Sequence, residues 1–220
     1  MNSTFLFRTL TTAAVLGAAT LGAAAQQTRQ VSSFQGIRAS GSVNLFLKQG
    51  PTTEVKVDAP SDVLENIKTE VQGNTLVIYR DKGSYFSLTN KKVNVYVICP
   101  TLTRVEASGA TDVKSDTPFT ADEFTIRASG ASDVTMSLNA KTLTAHASGA
   151  SDLRLTGRVE RQQVHISGSS DYQAYNLQSR TAAVEASGAS DAYVAVSEEL
   201  SSRSSGASDV HYKGKPRVTR

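Results

Sequence analysis

One short phrase returns six times between residues 108 and 209. It reads Ser-Gly-Ala-Ser-Asp or a close variant. Its glycines are Gly109, Gly130, Gly149, Gly168, Gly188 and Gly206, spaced 21, 19, 19, 20 and 18 residues apart. Three positions after each glycine stands an aspartate: Asp112, Asp133, Asp152, Asp171, Asp191 and Asp209. A degenerate earlier copy, Arg38-Ala39-Ser40-Gly41-Ser42-Val43-Asn44, puts Asn44 in the aspartate position. A fixed period of this kind marks an array of small units. Each unit is too short to bury its own apolar face and must stack on its neighbours.

The residues before each glycine alternate. Val105/Ala107, Ile126/Ala128, Ala145/Ala147, Val164/Ile166 and Val184/Ala186 are apolar, and Glu106, Arg127, His146, His165 and Glu185 stand between them. A period of two means a strand with one buried face. A second short strand follows the motif, as in Val134-Thr135-Met136 or Leu153-Arg154-Leu155, and Phe124, Leu143 and Leu200 supply a further inward position. No copy has room for a useful helix. The last, Ser202-Arg203-Ser204, keeps the alternation without the apolar character, as a terminal coil does. The expected fold is all-β: a single-chain parallel β-helix or solenoid of about 19–20 residues per coil, right-handed by the general crossover preference. With 39% hydrophobic and 6% aromatic residues and no Trp, its core is built from small and β-branched side chains.

The rest of the chain is organised around that array. Residues 1–25 read as a secretory leader: Arg8, an apolar stretch from Leu10 to Leu21, then Ala23-Ala24-Ala25 as the cleavage pattern before Gln26. No Cys stands at that site to carry a lipid, and no later stretch is long and apolar enough to span a bilayer. The chain is therefore expected to be exported, to the periplasm or the cell surface. Residues 26–33 read as a linker and 34–100 as a less regular β region that starts and caps the solenoid. Within it, Val71–Tyr79 forms a hairpin about Gly73-Asn74, and one helical turn follows Pro60. Residues 101–212 are the repeat, and 213–220 a basic tail with Lys213, Lys215, Arg217 and Arg220.

These residues resemble a known family. Phe34-x-x-Ile37, Gly41-x-Val43-x-Leu45, Gln49-Gly50, Gly73-x-x-Leu76-x-Ile78, the strand from Val93 to Pro100 and the repeated Ser-Gly-Ala-Ser-Asp are similar to the autotransporter-adhesin head GIN domain group of bacterial envelopes, especially of Bacteroidota. The resemblance covers roughly residues 34–215. It implies an all-β, solenoid-like fold and an exported location, and it carries over no catalytic residue. Many envelope proteins of this kind are lipid-anchored, and this chain departs from them in lacking the Cys.

Two columns of side chains are candidate sites. Stacked in register, the six aspartates stand about 5 Å apart and repel. Either each accepts N–H bonds at its own turn, aided by the adjacent Ser, or the row holds Ca²⁺. The second column, three residues before each glycine, is Glu106, Arg127, His146, His165, Glu185 and Arg203. It reads as an outward ladder of unlike neighbours, Glu106 beside Arg127 and Glu185 beside Arg203, and as the candidate binding surface. An alternative is a Zn²⁺ site from His146, His165 and Glu185. Tyr172, Tyr175, Tyr193 and Tyr212 are candidates for stacking sugar rings on the late coils. Cys99, ending an alternating strand, reads as a buried small hydrophobe.

The net charge of +3 is too small and too evenly spread for a nucleic-acid binder. There is no nucleophile elbow, no phosphate-binding glycine loop and no cysteine-rich metal site. The reading is a non-enzymatic envelope or surface protein whose faces bind a glycan or an envelope protein, with no cofactor. The alternatives are a carbohydrate-active β-helix enzyme and a passive envelope scaffold.

Overall fold

The structure, a computed structural model, describes residues 24–81 and 93–219. The fold is nearly all β, with 72% strand and 2% helix, wound into a parallel β-solenoid of about six turns with an irregular N-terminal region. Two columns of strands run up the molecule. The first stacks β2 (Gly36–Gly41), β8 (Arg104–Gly109), β10 (Phe119–Ala128) and the later halves of β11 (Asp133–Ala147), β12 (Asp152–Ile166), β13 (Tyr172–Gly188) and β14 (Asp191–Gly206). The second stacks β3 (Asn44–Gln49), β9 (Asp112–Ser115), the early halves of β11 to β14, and β15 (Asp209–Lys213). The degenerate copy is the first coil: Gly41 pairs with Gly109 and Asn44 with Asp112.

Parallel register turns each alternating strand into an interior row. Ile37, Val105, Ile126, Ala145, Val164 and Val184 lie one above the next and are all buried. A narrower row of Ala39, Ala107, Ala128, Ala147, Ile166 and Ala186 runs beside it, next to the corner. At that corner the backbones come close. Gly149 has φ +80° and stands over Gly130, so that a Cβ added there would lie 2.5 Å from the Gly130 carbonyl oxygen. The amide of Ala150 donates to the same oxygen at 2.7 Å. Any side chain would force the coils apart.

The turn is held by the hydroxyl of the motif, not by its carboxylate. Thr111, Ser132, Ser151, Ser170, Ser190 and Ser208 face inward and are buried. Ser190 Oγ donates toward Ser187 O at 2.9 Å and Gly168 O at 3.3 Å, and it accepts from the amide of Ser170 at 3.4 Å. The aspartates point outward. Among the described residues only Asp191 of that column accepts a backbone N–H, from Asp209 of the next coil at 3.2 Å. The expectation of aspartate turn-capping is corrected accordingly. Strand alternation decides it, because the residue before each Asp is the one aimed at the buried corner.

The N-terminal insertion covers the open end. Two parallel strands extend the columns, β6 (Thr75–Arg80) on β2 and β7 (Asn94–Cys99) on β3. Antiparallel strands then lie on them: β5 (Ile67–Gln72) on β6, and β4 (Glu54–Pro60) on β7. Helix α1 (Ser61–Leu64) is the single turn after Pro60. Of the expected leader, residues 1–23 lie outside the described residues. Residues 26–33, expected as a linker, instead contribute to β1 (Ala24–Arg29), which pairs antiparallel with β4 and satisfies an edge that would otherwise be bare. The basic tail is likewise partly strand: β16 (Arg217–Thr219) pairs with β14, Val218 opposite Leu200, and Arg217 Nη2 donates to Glu199 Oε1 at 2.9 Å.

One buried polar chain crosses the apolar rows. In the row of Phe124, Leu143, Gln162, Ala182 and Leu200, Gln162 is the polar member. Tyr172 Oη donates to Gln162 Oε1 at 2.8 Å, Gln162 Nε2 to Ser179 Oγ at 2.8 Å, and Ser179 Oγ to Ala195 O at 2.9 Å. Burial pushes the Tyr172 phenol far up.

The outcomes for four variants are read from urea midpoints by circular dichroism. Gly149→Ala costs about 2–4 kcal/mol, from left-handed strain plus the clash with Gly130. Gly73→Ala, at φ +61° in open space, costs only about 1 kcal/mol. Tyr172→Phe costs about 1–3 kcal/mol by stranding the Gln162 oxygen, and adding Gln162→Leu recovers most of it.

Candidate functional site

The outward column predicted from the sequence is one continuous row. Parallel pairing places Glu106 beside Arg127, Arg127 beside His146, His146 beside His165, His165 beside Glu185, and Glu185 beside Arg203. Arg38 of the first coil extends it below Glu106. Sequence reading missed Arg38, although its place before Ala39-Ser40-Gly41 is the signal that could have found it.

The pairings along the row differ in part from expectation. Glu106 is held by Arg38, Nε to Oε2 at 2.6 Å, with Arg104 Nη1 at 3.9 Å, and Arg127 makes no ion pair among the described residues. Arg38 on the coil below donates a charge-assisted Nε–H bond to Glu106, which commits the carboxylate to that coil. The other end matches the reading: His165 Nδ1 lies 3.0 Å from Glu185 Oε2, and Arg203 Nη1 lies 3.6 Å from Glu185 Oε1. These pairs are largely exposed and each contributes about 0–1 kcal/mol. The rings of His146 and His165 stack, centroids 5.1 Å apart and 11° from parallel. Stacked rings present faces to each other rather than converging nitrogens. Among the described residues no group of three or more His, Cys, Asp or Glu is placed to hold a metal ion. The Zn²⁺ set of His146, His165 and Glu185 is corrected on that geometry.

A groove of about 1080 Å³ follows this row. Its walls include His146, His165, Glu185 and Arg203, with Ser148, Ser167 and Ser187 alongside, and it ends at Asp209 and Tyr212 on the last coil. Burial, then the charges of Arg127 and His165, hold the His146 imidazole below its ordinary pKa.

The tyrosines separate. Tyr172 is in the core and leaves the candidate stacking surface, because its position continues the inward row of Val134 and Leu153. Tyr175 and Tyr193 meet edge to face at 5.4 Å, Tyr193 stacks on His211 at 4.9 Å, and Lys213 Nζ lies 4.1 Å from the Tyr175 ring centre. Tyr212 is exposed at the open end of the last coil. Cys99 is buried, and burial pushes its thiol up to about 11.

The aspartates also form a row. Asp112, Asp133 and Asp152 are in register, and Arg154 offsets their repulsion, with Nη2 2.8 Å from Asp152 and Nη1 3.9 Å from Asp133. At the opposite corner lies a second charged row that sequence reading missed: Asp122, Lys141, Glu160, Arg180 and Glu198. Lys141 Nζ is 2.8 Å from Asp122 Oδ1, and Arg180 Nε and Nη2 are 2.8 and 3.1 Å from the Glu198 oxygens. Its signal was the same near-twenty spacing, without a glycine to draw attention to it.

Fold and surface together define a class: a parallel β-solenoid that displays register-locked rows of unlike polar side chains. The chain belongs to the family described as "Putative auto-transporter adhesin, head GIN domain", whose profile matches residues 33–216. No curated protein matches the sequence. Among solved structures, one described as a putative adhesin from Bacteroides fragilis is 23% identical, with TM-score 0.83, covering 89% of this chain and 91% of that one. Another so described, from Parabacteroides distasonis, is 19% identical with TM-score 0.75, covering 90% and 93%. A third, from Parabacteroides merdae, is 16% identical with TM-score 0.73, covering 90% and 92%. At these identities the likeness establishes the shared fold.

The ladder is expected to make stability depend on pH. A His pKa lowered in the folded state means that the unfolded chain binds more protons at mildly acid pH. The folded protein therefore keeps this contribution above the ordinary His value and loses it as pH falls below about 6.5. His146→Gln flattens that loss: between about pH 8 and pH 5 its melting temperature falls less than that of the native chain. Parallel thermal melts of the two proteins measure the difference.

Proposed function

We propose that this protein is a non-enzymatic binding module, exported to the bacterial envelope, that holds a glycan or an envelope protein against its ladder face. One observation carries the reading: Arg127, His146, His165, Glu185 and Arg203 stand in one register-locked row, and the groove runs along its members from His146 to Arg203. Such a row offers donors and acceptors at steps of about 4.8 Å to a polymer laid along the solenoid axis. The family's adhesin description and the adhesin descriptions of the structural relatives support it.

The row is better suited to contact than to acid–base chemistry. A general acid is prepared by enclosing a carboxyl in an apolar pocket. Glu185 instead lies half in solvent between His165 and Arg203, and Glu106 is tied to Arg38. No helix among the described residues is long and apolar enough to cross a membrane.

Retention of the protein on arrays of bacterial and host glycans, and on solubilised envelope proteins, tests the proposal. The expected result is saturable retention without sugar release, weakened at least about tenfold in Arg127→Ala/His146→Ala/Arg203→Ala, since a few central contacts carry most binding energy. Retention on nothing, or retention that the triple variant keeps in full, overturns it in favour of a passive scaffold. Release of shortened sugars overturns it in favour of an enzyme.

A further inference from the structure

A second groove, of about 840 Å³, runs along the corner where each coil turns from the second column back into the first. Its floor is built from one position per coil. Ala121, Ala140 and Val159 follow one another in register, and Ser179 and Val196 continue the line. The surrounding lining spans six successive coils, from Thr120 to Lys215. Five steps of about 4.8 Å make it about 24 Å long.

The chemistry of this groove differs from that of the ladder. Among the described residues no aromatic ring lines it. The Ser179 hydroxyl is committed to Ala195 O at 2.9 Å. Along one rim Lys141 is paired with Asp122 and Arg180 with Glu198, and the Glu160 carboxylate stands between these pairs. Three lining cations, Arg158, Lys213 and Lys215, have no carboxylate partner among the described residues. Two of them, Lys213 and Lys215, stand together on the last coil, and the Tyr175 ring holds Lys213 in place. The groove is thus long, apolar along its floor and cationic at one end.

We infer that this groove binds a single-chain anionic amphiphile, a long-chain fatty carboxylate. Its tail lies along the row from Val196 to Ala121 and its carboxylate sits at Lys213 and Lys215. The apolar floor removes the tail's methylenes from water, and the unpaired ammonium groups supply the charge complement of the head. A sugar chain would need stacking rings, and none among the described residues lines this groove. A peptide strand would need open backbone edges. Here the backbone along the floor is paired between coils from β10 through β12, and β13 meets β14 with a register shift between Ser179 and Thr181. The inference stands apart from the ladder reading and concerns the opposite corner.

The test is calorimetric titration of the full chain with palmitate, decanoate and acetate. Palmitate is expected to bind saturably, one per chain. Affinity is expected to fall about twofold per methylene removed, roughly half the effect of full burial because one side of the tail faces water. Acetate is expected not to bind. Lys213→Glu/Lys215→Glu, both at exposed positions, is expected to weaken palmitate at least about tenfold while leaving the thermal melt in place. Ala140→Glu, on the floor, is expected to abolish binding, and the lysine pair carries the test if that variant fails to fold. His146→Ala is expected to bind palmitate as the native chain does, which separates failure here from failure of the ladder. Absence of palmitate binding, affinity independent of tail length, or unchanged binding by the lysine-reversed protein overturns the inference.

Discussion

The structure depends on one contact repeated at every coil: glycine stacked on glycine at the corner, with the next amide bonded to the glycine carbonyl below. At Gly149 and Gly130 the available space is smaller than a methyl group. That closeness sets the coil spacing at the corner, and the spacing lets the flanking strands pair in parallel without slip. The hydroxyl residue before each aspartate, Thr111 in the first copy and serine in the others, completes the arrangement. Its buried hydroxyl bonds carbonyls at the turn that would otherwise be unsatisfied away from water. A motif of five residues therefore does two jobs, close approach and polar satisfaction, and both are done by its smallest members.

Register has a consequence for the surface. When every strand pairs in parallel, position follows position, and any outward residue type becomes a row. Rows of like charge would repel at each step. The chain avoids this in three ways: alternating signs at the Asp122–Glu198 corner, mixed charges and neutral rings on the ladder face, and an intruding Arg154 among the aspartates. The same constraint yields two long, chemically distinct tracks along one axis, one polar and one apolar-floored. A globular fold with short loops seldom provides either.

The two ends answer the edge problem differently. At the N-terminal end, antiparallel strands β1, β4 and β5 lie over the last parallel ones, and the Arg29 guanidinium donates to the carbonyls of Leu64 and Ile67 at 3.0 and 3.3 Å. At the C-terminal end the interior itself turns polar. Ser202 and Ser204 take positions held by Val184 and Ala186 one coil earlier, and Lys213, Lys215 and Arg217 crowd the rim. Charged, polar edges of this kind discourage further strands from adding.

The repeat period and the alternation about each glycine are local properties, and they determined the solenoid, its interior rows and the membership of the ladder before any coordinates. They could be read because stacking in parallel register converts sequence spacing directly into neighbourhood. Tertiary structure decided what spacing does not encode. Glu106 pairs with Arg38 across an insertion of more than sixty residues, so the Arg127 partnership read from adjacent copies does not form. Inward or outward aim at the corner gave the turn bonds to serine and left aspartate on the surface. Tyr172 went to the core because its row is inward, although an isolated tyrosine reads as surface. The apolar-floored groove arises where small residues at a bend, ordinary in the sequence, line up over six coils. Each of these rests on contacts between residues far apart in the chain, and only the packed coils bring those residues together.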